Sequence, residues 1–100
     1  MNIEEQKFAL YLTVLRFLPF KITQNLQRIY LRIDEVNLEL KLTAYYLNEP
    51  SELELELFDD IITNSNAHIP AYSVTGIHKL FNNYDTISNY DFVVFALYEP

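Results

Sequence analysis

Apolar residues recur along this chain with two different periods, and the switches between them mark out the elements. Over residues 4–18, Phe8, Leu12, Leu15 and Leu18 fall at helical spacing. Glu4 and Glu5 open the segment and Pro19 closes it, so a first helix is predicted there. Its apolar arc is wide, and it is expected to be largely buried. Period two takes over after "FKITQN". Ile29, Leu31 and Ile33 alternate with Arg28, Tyr30 and Arg32, and then Leu38, Leu40, Leu42 and Ala44 alternate with Glu39, Lys41, Thr43 and Tyr45. Folding the chain at Glu35–Val36 sets Ile33 opposite Leu38, Leu31 opposite Leu40 and Ile29 opposite Leu42. The same register sets Arg32 opposite Glu39 on the other face. An antiparallel hairpin with one face on a core satisfies both faces at once. Its arginines read as cross-strand partners rather than ligands.

The stretch "EPSELELELFDDI" at residues 49–61 alternates like a strand, but Phe58, Ile61 and Ile62 break that parity. At 100° per residue, Glu52, Glu56, Asp59, Asp60 and Thr63 share an arc of about 100°. Leu53, Leu55, Leu57, Phe58, Ile61 and Ile62 take the other side. Ser51 and Glu54 form an S-x-x-E capping box after Pro50, so a second, amphipathic helix is predicted. "NSNAHIP" reads as a loop. A strand is expected from about Ala71 to Phe81, with a bulge at Gly76. After the loop "NNYDTISNY", "DFVVFALYE" is apolar on both faces, as strands inside a sheet usually are. The order α-β-β-α-β-β predicts the α+β class: one domain over residues 1–100, with a mainly antiparallel four-stranded sheet packed with two helices.

Charge changes the picture more than size does. The net charge is −7, unevenly placed: residues 1–48 carry five acids and six bases, whereas residues 49–100 carry nine acids and only Lys79. A nucleic-acid binder needs cations to neutralise phosphates, so direct DNA or RNA binding is not expected. A basic protein surface is the natural counterpart. No stretch looks like a signal peptide or a membrane span, and a cytoplasmic location is expected. The chain lacks cysteine, which removes disulfides and thiolate metal sites. It has a single glycine, and some of its nine asparagines are expected to supply turn conformations in place of glycine.

Catalytic chemistry finds little footing. His68 and His78 are far apart on different elements and read as turn and strand residues. No phosphate-binding glycine loop is present, and carboxylates on a solvated stripe lack the burial that tunes an acid–base pair. No enzyme activity, cofactor or metal is therefore expected. The candidate partner-binding residues are Glu52, Glu56, Asp59 and Asp60 on the acidic stripe, with Tyr84, Asp85 and Tyr90 in or beside the Asn-rich loop. Two like-charge i,i+4 pairs, Glu52/Glu56 and Glu56/Asp60, each cost the isolated helix roughly 0.2–0.5 kcal/mol. Tyrosines suit adaptable contacts and are enriched at interface hot spots.

Three stretches resemble a known group: "LRFLPFKITQNLQRIYLRID" at residues 15–34, "YYLNEPSELELELFDDIIT" at 45–63 and "FVVFALYE" at 92–99. They are similar to small acidic immunity proteins of contact-dependent growth inhibition and related polymorphic-toxin systems. The resemblance implies a protein that binds and neutralises one cognate toxin, often a nuclease, through its C-terminal toxin domain. It brings no catalytic residues. A basic toxin surface would complement the acidic stripe, and the free protein is expected to be a monomer. The alternative is another acidic interaction module, such as a nucleic-acid mimic or a subunit of a larger assembly.

Overall fold

Six elements follow one another in the expected order in the computed structural model, which describes residues 2–81 and 90–96. They are α1 (Ile3–Leu15), β1 (Leu26–Asp34), β2 (Glu39–Tyr46), α2 (Glu52–His68), β3 (Ser73–Leu80) and β4 (Phe92–Ala96). The four strands form one sheet in the order β3-β2-β1-β4. β1 pairs antiparallel with both β2 and β4, while β2 and β3 run parallel, so the sheet is mixed though mainly antiparallel. A parallel neighbour needs a crossover, and α2 provides it between β2 and β3.

Both helices cover one face of the sheet. Val14 of α1 and Phe58 and Ile61 of α2 join one apolar cluster with Ile29, Leu31, Leu40 and Leu42. These last four are wholly inaccessible to solvent. The alternation read from the sequence therefore picks the buried face correctly.

The hairpin register differs from expectation by two residues. Ile33 lies opposite Leu40, Leu31 opposite Leu42, Arg32 opposite Lys41 and Asp34 opposite Glu39. Asp34 is the cause. Its carboxylate accepts hydrogen bonds from the Val36 and Asn37 amides at 3.1 and 3.0 Å and from the Asn37 side chain at 2.8 Å. This side-chain turn spends residues 35–38 on the loop. The hydrogen bonds, from the Asn37 amide first, also hold the Asp34 carboxyl below its ordinary pKa. Because the slip is even, every side chain keeps its face while the cross-strand partners change.

Several local expectations are also corrected. α1 ends at Leu15, and it is not largely buried: Val14 is its one buried residue, while Phe8 and Leu12 are about half exposed. It packs sideways against α2 and β4 at the border of the sheet, leaving its outer side in solvent. α2 continues through "NSNAH" to His68. Ser65 is buried in this last part, and the Asn66 amide side chain pairs with both the N–H and the C=O of Val74 at 2.9 and 2.8 Å. β3 covers Ser73–Leu80 and its pairing with β2 runs through Gly76 without a bulge. Glycine serves another purpose there. A Cβ would collide with the Ile62 side chain and stand 2.9 Å from Phe58 Cζ, so its absence lets α2 approach the strand.

β4 is an edge strand, not an interior one. Both its faces are apolar because both are partly covered. Phe92 stacks on Tyr11 at 4.5 Å between ring centres, Val93 stands opposite Tyr30, and the register shift beside Val94 turns that residue inward. Among the described asparagines, Asn37 lies in the hairpin turn and none has positive φ, the positive-φ residues there being Phe20 and Leu38, while Asn82, Asn83 and Asn89 lie outside the described residues. Asn2, Asn25 and Asn66 contribute side-chain hydrogen bonds.

Candidate functional site

The start of α2 is built with care. Ser51 Oγ accepts from the Glu54 amide at 3.2 Å, and the Glu54 carboxylate accepts from the Ser51 amide at 3.2 Å, completing the capping box. Glu54 also accepts from Thr23 Oγ1 at 2.7 Å and from the Asn25 side chain at 3.3 Å. Asn25 in turn bonds the Asn48 backbone in both directions at 2.8 and 2.9 Å. One carboxylate of the acidic segment is thus wholly engaged in joining α2 to the turn before β1. Partial burial pushes its pKa up, but the four hydrogen bonds, from Thr23 above all, outweigh burial and hold it below the ordinary value.

Glu52, Glu56, Asp59 and Asp60 are all exposed on α2, Asp59 at its border with Gly76 and His78 of β3. Asp60 is paired with Lys21 at 3.3 Å. Glu52, Glu56 and Asp59 have no cation within ion-pair distance among the described residues. Leu53, expected on the apolar side, is 61% exposed, because the buried arc centres on Phe58, Ile61 and Ser65. An exposed leucine therefore stands beside the carboxylates. This combination of a rigid helix, three unpaired acids and an apolar side chain is suited to protein contact.

Tyr90 is placed elsewhere. Its ring lies 4.4 Å from that of Tyr30, which is in turn 5.8 Å from Tyr45. Tyr30 points to the face away from the helices, so Tyr90 and the acidic stripe lie on opposite sides of the sheet. Tyr84 and Asp85 lie outside the described residues. Next to Tyr90, Asp91 accepts from the Ile33 amide at 2.7 Å and from Lys7 at 3.1 Å, tying α1, β1 and the start of β4 together. The Asp91 hydrogen bond is the main reason the Lys7 pKa is raised.

Sequence spacing did not single out the sheet face turned away from the helices. Arg32, Lys41 and Lys79 line a groove of about 430 Å³ there, with Tyr45, Thr43 and Ile77. Their alternation was visible in the sequence, but pairing Arg32 with Glu39 made the face look neutralised. His68 closes α2 and His78 lies on β3, as elements rather than as a pair. Among the described residues no cluster of three or more His, Asp or Glu could hold a metal ion, and no helix is long and apolar enough to cross a membrane.

Fold and surface together define a small α+β protein with an acidic stripe on α2 and, among the described residues, Arg32, Lys41 and Lys79 grouped on the sheet face turned away from the helices. Residues 7–99 match the family model of the MafI2 immunity protein, and the chain belongs to that family. It is an immunity protein of the polymorphic-toxin type, whose partner is a cognate toxin. No curated protein matches the chain.

Proposed function

We propose that this immunity protein neutralises its toxin by one-to-one binding in the cytoplasm, without catalysis, and that the toxin offers a basic, nucleic-acid-handling surface of its C-terminal domain to the acidic stripe of α2. The observation carrying this reading is the set of exposed carboxylates on one side of α2. Three of them have no cation among the described residues, although like charges four apart weaken an isolated helix. An acidic helix seated in a basic groove would exclude nucleic acid from it, and charge complementarity would speed the encounter. The same excess of negative charge argues against the chain itself binding nucleic acid or an anionic membrane.

Reversing Glu56 and Asp59 to lysine tests the reading while sparing Asp60 and its bond to Lys21. The change creates attractive i,i+4 pairs from residue 56 to Glu52 and to Asp60, so stability should hold or rise by a few tenths of a kcal/mol. Toxin association should slow at least about tenfold, and the wild-type on-rate should fall steeply with added salt. Cells carrying the variant should lose protection. A well-folded variant that still protects and binds with wild-type kinetics would transfer the interface to Tyr90 and its surroundings across the sheet. Equal binding of the wild type to unrelated basic proteins would instead point to a general nucleic-acid mimic.

A further inference from the structure

The turn after α1 holds an exposed ring in a costly backbone conformation. In "LPFK" the Lys21 amide donates to the Leu18 carbonyl at 2.9 Å, with Pro19 second and Phe20 third in the turn. Phe20 has φ 66, and a turn with proline second and positive φ third calls for glycine or asparagine at that third place. Bulky residues rarely adopt this region. No packing compensates for it, because Phe20 is 95% exposed, the highest value among the described large apolar residues. Leu38, the other positive-φ residue described, has a folding role: its carbonyl accepts from the Ser73 amide at 2.9 Å, where β3 begins. Phe20 has no comparable role.

Its position supplies one. Lys21 pairs with Asp60 at 3.3 Å, and Thr23 donates to Glu54 at 2.7 Å, so residues 21–23 run beside α2 from Asp60 back to Glu54. Lys21 and Thr23 are half-buried on that helix, whereas Phe20 and Ile22 alternate with them and are exposed. Leu53, itself exposed, is seven residues from Asp60, on the same side of α2 and about 10.5 Å along it. Phe20, Ile22 and Leu53 thus form an apolar border to the acidic stripe, on the flank where Lys21 meets Asp60.

We propose that Phe20 is the apolar anchor of the toxin interface, its ring entering an apolar cleft at the edge of the toxin's basic surface. The assignment rests on the toxin meeting the α2 face. Ile22 and Leu53 cover the space between the anchor and the carboxylates and exclude water from it. The two kinds of group divide the work. Carboxylates act at a distance and speed the encounter, whereas a ring acts only once seated and slows escape. The turn holds the ring in place before the toxin arrives: Pro19, the Lys21–Leu18 hydrogen bond and the Lys21–Asp60 pair fix its backbone, so little freedom is lost on binding.

Surface plasmon resonance of the full chain, with the purified toxin domain against which it protects, separates the two rates. Phe20→Gly and Phe20→Ala both remove the ring, but only glycine suits the backbone. Phe20→Gly should therefore melt above Phe20→Ala and no lower than wild type. Both variants should leave the toxin at least about tenfold faster, with association within about twofold of wild type. The loss should be the same in about 50 mM and about 500 mM salt. Glu56→Lys/Asp59→Lys should show the reverse pattern, slow association with strong salt dependence. Wild-type dissociation in both Phe20 variants would overturn the anchor, and slow association of the charge-reversed protein would show that the α2 reading survives without it. Fast dissociation of both Phe20 variants beside unchanged kinetics of the charge-reversed protein would keep the anchor and remove the acidic stripe. A loss confined to Phe20→Gly would mean that the stiffness of the turn, and not the ring, serves binding, and would also overturn the proposal.

Discussion

The two faces of the sheet are built from the same alternating strands, yet they respond differently to a change of register. On the helix-covered face Ile29, Leu31, Leu40, Leu42 and Ala44 are 0% exposed, and one aliphatic neighbour replaces another when β2 slides by two residues. On the face turned away from the helices the same slide exchanges Glu39 for Lys41 opposite Arg32 and turns an attraction into a repulsion. Burial thus selects which face is inward but barely distinguishes even-numbered registers. The loop chooses among them, through Asp34 and its hydrogen bonds to residues 36 and 37.

The largest expected effect probes this contrast directly. Leu31→Asp places an uncompensated charge in the covered face and should cost more than about 4 kcal/mol, enough to unfold a domain of ordinary stability. Thr75→Asp, at an exposed position opposite Lys41 on the other face, should stay within about 0.5 kcal/mol of wild type. Urea midpoints measure both, and similar shifts would break the distinction between the faces. Gly76→Ala comes next, at about 1–3 kcal/mol, because the new methyl group meets Ile62 and Phe58 of α2. Combining it with Phe58→Leu should cost less than the sum of the two single losses. Additive losses would mean that Gly76 is needed for its backbone rather than for the approach of α2.

Much of the fold was legible because burial leaves a periodic trace. The helix–strand order, the buried face of the hairpin and the cap at Ser51 all follow from spacing. What escaped depends on contacts that spacing does not encode. Asp34 lengthens the hairpin loop through hydrogen bonds with no apolar signature. Gly76 is explained only once α2 lies against it, and the apolar "FVVFA" owes its two covered sides to α1 and to Tyr30 rather than to a central place in the sheet. α1 is apolar nearly all round, and such a pattern cannot tell a buried helix from one at the border of the sheet. In the candidate site, the acidic stripe was readable at 100° per residue. The cationic groove was not, since it requires three strands in their true register. The departure of Leu53 from the apolar side reflects where the sheet lies relative to α2.

The cap at the start of α2 gives the third effect. Ser51→Ala should cost about 0.5–2 kcal/mol by thermal or urea unfolding. Its pH dependence is set by Glu54, whose folded-state pKa is depressed. The stabilisation by Glu54 is fully present above its ordinary pKa of 4.5 and is lost as pH falls through the lower folded value. Glu54→Gln should flatten this acid limb. Tyr46 acts at the other end of the scale: burial first, then the nearby Glu54 charge, pushes its phenol up to about 12 from 10.0. The unfolded chain releases that proton earlier, so stability should fall between about pH 10 and about pH 12, and Tyr46→Phe should weaken the fall. A Glu54→Gln protein with an unchanged acid limb would place the acid sensitivity elsewhere.

The smallest effect is the most informative about register. Arg32→Glu removes a cation from beside Lys41 and puts a carboxylate in its place, so stability should rise by a few tenths of a kcal/mol, or at least not fall. Loss of the attraction between Arg32 and Asp34, a minor contributor to the lowered Asp34 pKa, limits the gain. Had the chain folded at Glu35–Val36, the new glutamate would face Glu39 and the sign would reverse. A double-mutant cycle removes the ambiguity of so small a number. Reversing Lys41 to glutamate as well restores a like-charge pair, so the coupling between positions 32 and 41 should be attractive in Arg32→Glu and repulsive in the double variant. High salt should erase most of this coupling while leaving the Leu31→Asp loss untouched. A favourable coupling to position 39 in place of 41 would move the hairpin back by two residues. It would also dissolve the cationic groove, because Arg32 and Lys41 would no longer stand side by side.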